Sequence, residues 1–209
     1  MKFSQKVVLV CSVLFCVTIL GLVAGKRLLY PPDVNDLDYL ASKISENDYM
    51  QNCLKRLGAD EIRIFDIIDM APSISERQYR IVGFSIGDTT TFGYSLMEIT
   101  DGKLKELRTH TTLPCSSYRN WEERPLYQDQ FWLENDRYCD IFISNSTQLG
   151  RISWVYTNRE KRIESEEFEV LVDETPFIYV FEVPDGYTGP YGLYNGGKYF
   201  CWDHEGNQL

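Results

Sequence analysis

The chain has 209 residues, six cysteines and a formal net charge of −10 at pH 7. Four of its 21 basic residues fall in the first 27 positions and no acidic residue precedes Asp33, so the chain beyond Arg27 sets 17 basic against 31 acidic residues, a formal −14. A domain this acidic repels phosphate backbones and anionic membrane surfaces, which removes nucleic acid from the expected partners.

The first element is VVLVCSVLFCVTILGLVAG, Val7 to Gly25. It carries no charge and, as an α-helix, extends roughly 28 Å, close to the hydrocarbon thickness of a bilayer. A secretory leader has a shorter apolar core, about 7–15 residues, before a small-x-small site. The candidate site here is Val23-Ala24-Gly25. Residues 1–27 are therefore expected to stay as a single-pass membrane anchor in contact with lipid, with a signal peptide cut after Gly25 as the alternative. Cys11 and Cys16 follow Leu9-Val10 and Leu14-Phe15, not the small residues of a lipoprotein site, and read as apolar membrane residues. Residues 28–35 form a spacer stiffened by Pro31-Pro32.

Residues 36–209 are expected to form one exported domain, long enough for a single sizeable core. Its cysteines, Cys53, Cys115, Cys139 and Cys201, are even in number and permit two disulfides in three pairings. Asn35 or Asp36 offers an N-cap for a helix carrying Leu37, Leu40, Ala41 and Ile44. The pattern then slips, and Ser45-x-x-Asp48 resembles a second helix start, with Met50, Cys53, Leu54 and Leu57 following and Gly58 as a stop.

From Asp60 the period changes to that of strands. Ile62, Ile64 and Ile68 alternate, YRIVGFSI and FGYSLMEI are rich in β-branched and aromatic residues, and Asp101-Gly102 marks a tight hairpin before KLKELRT. Later strands are expected at YCDIFIS, RISWVYT, EFEVLV and FIYVFEV. The fold class is α+β, a helical segment packed on an antiparallel sheet. Glu166, Phe168, Val170 and Val172 place one side of an acidic strand against the core, and its charge discourages stray pairing. The same charge suits a basic partner.

The stretch DGYTGPYGLYNGGKYFCW, Asp185 to Trp202, gathers Tyr187, Tyr191, Tyr194, Tyr199 and Trp202 as candidate binding residues, since such rings give large contact area at low entropic cost. The competing reading is a final hairpin turning at Asn195-Gly196 and tied down by Cys201. Its glycines are not a phosphate loop, because no Lys-Ser/Thr pair follows. Only His110 and His204 are available as imidazole bases, and no Gly-x-Ser-x-Gly elbow occurs. Cys201-x-x-His204 without a second Cys/His pair at short spacing is too little for zinc, so no catalytic residue, metal or cofactor is expected. Asn145-Ser146-Thr147 fits a glycan acceptor if the chain enters a eukaryotic secretory route.

These features favour a membrane-anchored, extracytoplasmic protein-binding module over an enzyme, in a bacterial inner membrane with the domain in the periplasm. A narrower version is an immunity or inhibitor protein against an envelope-acting toxin. The alternative is a structural or assembly component of an envelope complex.

Overall fold

The structure is a computed structural model that describes residues 33–70, 77–87, 91–111, 126–132, 138–158, 161, 163–184, 187 and 197–209. Val7 to Gly25 lies outside them, as do Cys115, Tyr191 and Tyr194, and among the described residues no helix is long and apolar enough to cross a membrane. The chain divides into Met1–Tyr39 and Leu40–Leu209. In the first, Asp36 settles the choice of cap: its Oδ1 accepts from the backbone N–H of Asp38 (2.9 Å) and Tyr39 (3.1 Å).

Helix α1 spans Leu37–Ser45 and helix α2 spans Asp48–Leu57. The second cap is Asn47 and not Ser45. The Asn47 side chain accepts from Tyr49 N–H (2.8 Å) and Met50 N–H (3.3 Å), while the Ser45 hydroxyl turns back to the Ala41 carbonyl (2.8 Å). Gly58 closes α2 in the left-handed region at φ 65°, as its position in the sequence suggested.

Eleven strands follow in the described chain, arranged as three antiparallel sheets. The first has the order β1 (Ile62–Asp69), β2 (Gln78–Ile86), β3 (Phe92–Thr100), β4 (Lys103–Thr111). The expected hairpin is present, with Asp101 and Gly102 at φ 52° and 68°. The second sheet places β6 (Tyr138–Ser144) between β10 (Phe177–Glu182) and β5 (Tyr127–Trp132). In the third, β7 (Leu149–Asn158) pairs with β11 (Gly197–Asp203) on one side and with β8 (Ile163–Glu164) and β9 (Phe168–Leu171) on the other.

Three buried clusters stack these layers. Leu40, Ile44, Met50 and Cys53 of the helices bury against Val82, Phe84, Ile86 and Met97 on one face of the first sheet. Its other face, with Tyr79, Ile81, Tyr94 and Leu96, meets Phe131, Cys139, Ile141, Ile143 and Ile178 of the second. The second sheet's far face, including Tyr138 and Phe142, meets Leu149, Ile152, Trp154, Tyr156 and Cys201 of the third. Each large apolar side chain buried this way contributes roughly 1.5–3 kcal/mol.

Two expectations change in this setting. The alternation in β1 breaks at a bulge between Ile64 and Asp66, so Ile62, Ile64 and Ile67 face the helices while Phe65 and Ile68 face the second sheet. Cys53, Cys139 and Cys201 lie in three different clusters, with no bridge among them. Two disulfides among four cysteines need at least one bridge within that trio, so this structure does not carry the two-bridge arrangement.

Candidate functional site

The outward face of the third sheet is built by cross-strand rows. In antiparallel pairing, residues directly opposite share a face. Trp202 of β11 lies opposite Arg151 of β7, which lies opposite Leu171 of β9; the next row is Phe200, Ser153 and Glu169. Cys201 and Tyr199, opposite Ile152 and Trp154, point the other way. The Arg151 guanidinium sits 4.7 Å from the Trp202 ring centroid, a contact of about 0.5–1 kcal/mol at a partly exposed site. The Trp202 ring N–H donates weakly to Ser153 Oγ at 3.4 Å. Arg151 also pairs with Glu169 (3.5 Å), and Lys198 with Glu164 (3.2 Å), so charged pairs flank the aromatic row. Leu171, at 64 % exposure, completes an apolar surface beside them.

The predicted binding residues do not act as one set. Trp202 lies on the outward face, and Tyr199, although 42 % exposed at the sheet edge, belongs to the inward face. Tyr187 packs near Tyr156, ring centroids 6.3 Å apart, against the inner cluster. The expected pairing of β11 with a strand before Asn195-Gly196 is not its pairing among the described residues. There β11 pairs with β7, and Gln208 bridges Trp202 from the other side as the chain end folds back. Leu209 N–H donates to the Cys201 carbonyl at 2.9 Å, which covers part of that edge.

Sequence reading missed a polar cluster between the first and second sheets. Tyr94 of β3, Arg108 and His110 of β4, and Tyr127 and Asp129 of β5 meet where the first two sheets share an edge. Tyr94 donates to Asp129 Oδ2 at 2.5 Å and Arg108 donates to the same oxygen at 2.9 Å. Arg108 also donates to the Gln130 carbonyl at 3.0 Å, which occupies a backbone acceptor of the edge strand. The His110 ring lies between Tyr94 and Tyr127, and Tyr127 Oη is 3.0 Å from its Nδ1. Burial, reinforced by Asp129, pushes the Tyr94 and Tyr127 phenols far above the ordinary tyrosine range. These hydroxyls hold their protons, and the Tyr94 hydroxyl points its own at Asp129; they are not bases. The cluster has the character of a tie between two sheets.

Cys201 and His204 do not form a thiolate–imidazole pair. Cys201 is buried in the third cluster, where burial pushes its thiol up to about 11, and His204 is exposed in the turn beyond β11. That turn is organised by Asp203, whose carboxylate accepts from the Asn207 side-chain amide (2.9 Å) and from the backbone N–H groups of Asn207 (2.8 Å) and Glu205 (2.9 Å), bonds that lower its pKa. Among the described residues no group of three His, Cys, Asp or Glu side chains is placed to hold a metal ion. Asn145 is exposed between β6 and β7.

Comparison of the chain with protein-family models, with curated proteins and with solved structures finds no match.

Proposed function

We propose that this chain is a membrane-anchored protein-binding module, held by Val7 to Gly25 and presenting residues 36–209 outside the cytoplasm of a bacterial cell. The observation that carries the reading is the outward face of the third sheet, where Trp202, Arg151 and Leu171 form one row flanked by charged pairs. Trp and Arg dominate the energetics of protein interfaces, and a partly exposed ring beside exposed Leu gives a centre for such a contact. The acidic domain as a whole speeds encounter with a basic partner.

The test uses full-length tagged protein recovered from gently solubilised native membranes, with Trp202→Ala alongside. A partner that comes down stoichiometrically with the parent chain and is lost with Trp202→Ala supports the module. A partner retained equally by both removes this face from the proposal. If that partner is a toxin acting on the envelope, the module is an immunity or inhibitor protein. The assembly-component reading predicts instead that replacing Val7 to Gly25 with an unrelated anchor abolishes function.

A further inference from the structure

Asp140 of β6 stands apart from every other carboxylate described. It is fully buried, at 0 % exposure, on the face of the second sheet that meets the third. Its Oδ2 accepts from the Tyr156 hydroxyl of β7 at 2.6 Å, and its Oδ1 has no hydrogen-bond partner. The groups that face it are neutral donors: the amides of Gln128 and Gln130 on β5 and the Tyr156 phenol. Tyr138 on its own strand donates to Gln130 Oε1, and Phe181 lies opposite on β10. Among the described residues the charge acting on it is another carboxylate, Asp129, and no Lys, Arg or His pairs with it. A carboxylate in such surroundings loses its hydration without gaining a cation, so the fold favours the neutral acid.

We propose that Asp140 is a proton-operated latch between the second and third sheets: docked while it is protonated, and released toward water, with the third sheet loosening from the second, when it ionises. The geometry gives the direction. Tyr156 anchors the latch from the third sheet, and on that side Asp140 is covered by the buried layer of Tyr156, Trp154 and Phe142, which must part for water to enter there. Burial raises the Asp140 pKa against the smaller opposing effect of the Tyr156 bond and of the nearby Gln130 and Gln128 side chains. In the opened form the carboxyl is hydrated and titrates in the ordinary range. Opening is therefore independent of pH below that range and grows by up to about tenfold per pH unit above it, until the buried acid itself ionises. The inference stands on the interior of the domain and does not depend on what the outward face binds.

The experiment is amide hydrogen exchange on the full chain between about pH 5 and about pH 8, corrected for intrinsic exchange, with β2 as the internal reference. The expected result is that protection in β7 and β11 falls by at least about tenfold relative to β2 as pH rises, and that Asp140→Asn, which cannot ionise, abolishes the fall. Equal pH dependence in Asp140→Asn and the parent, or a flat profile in the parent, overturns the latch. Should Asp140→Asn fail to fold, the carbon chemical shift of the Asp140 carboxyl in the parent decides. Titration above the ordinary carboxylate range supports the latch, and titration within or below it overturns it.

Discussion

Asp129 and Asp140 lie on neighbouring strands of the same sheet, on opposite faces, and the protein treats them in opposite ways. Asp129 faces the first sheet near an open edge, where Arg108 and the Tyr94 hydroxyl converge on one oxygen. Asp140 faces the third sheet in a closed interior, with one phenol, two nearby amides and, among the described residues, no cation. The first seam is held by a charge with its counter-charge; the second buries a carboxyl whose ionisation is opposed by that burial. Water access explains the difference: Arg108 keeps its guanidinium partly hydrated at the edge, whereas a cation beside Asp140 would have to be desolvated along with it.

The comparison is broken most severely by emptying the second seam. Trp154 packs against Phe142, Phe168, Tyr179 and Phe181 with ring centroids 4.9 to 6.0 Å apart. Trp154→Ala should cost about 3–5 kcal/mol in urea unfolding. Trp154→Phe should cost less than half of that, because the buried indole N–H has no hydrogen-bond partner to lose. Equal costs would place the contribution of Trp154 outside ring packing.

Alkaline pH acts on both seams. In the first, Tyr94 and Tyr127 keep their protons in the fold beyond the range in which an unfolded chain ionises, about pH 10, and in the second Tyr138 is pushed up to about 12. A raised phenol contributes stability that is intact below that range and lost as pH climbs through it, at most about 1.4 kcal/mol per pH unit for each group. Ultraviolet titration should show phenols that ionise only together with unfolding. Smooth titration of all the tyrosines near pH 10 in the folded protein would contradict the buried placement.

Removing one hydroxyl from each seam sharpens the contrast further. Tyr94→Phe deprives a carboxylate paired with Arg108 of one of its donors and should cost about 2 kcal/mol, while Tyr156→Phe takes a donor from Asp140, where burial favours the uncharged acid, and should cost about 1 kcal/mol at neutral pH. If the two costs prove equal, the carboxyls do not differ in charge. The smallest effect belongs to Arg108→Met, which should lose no more than about 1 kcal/mol because the pair is partly hydrated. Its loss should shrink as salt is added, and salt-independent destabilisation would mean that Arg108 acts through its bond to the Gln130 carbonyl instead.

Strand β5 shows where sequence reading failed and why. YQDQFW carries polar residues at three consecutive positions, which breaks the alternation of a strand with one wet face, and no strand is expected there. Both faces of this strand are covered, and its polar side chains are accommodated by Arg108 and Tyr94 on one side and by Tyr138 and Asp140 on the other. A tyrosine two strands away is invisible to local pattern. The bulge in β1 is the same kind of failure: a one-residue insertion moves Ile68 to the opposite face, and nothing in Ile-x-Ile announces it.

What the sequence determined by itself is the local: the helix stop at Gly58, the turn at Asp101-Gly102, and the strand cores from YRIVGFSI to FIYVFEV. These follow from backbone conformational limits and from burial at periods of two and 3.6, which act over a few residues. Tertiary structure alone decided that β11 pairs with β7, that Tyr199 and Trp202 part company, and that three cysteines lie in three separate clusters. It also decided that one aspartate has a counter-charge and its neighbour has none among the described residues. Those outcomes depend on which distant side chains arrive in the same layer, and it is the stacking of sheets, with the exclusion of water between them, that brings them there.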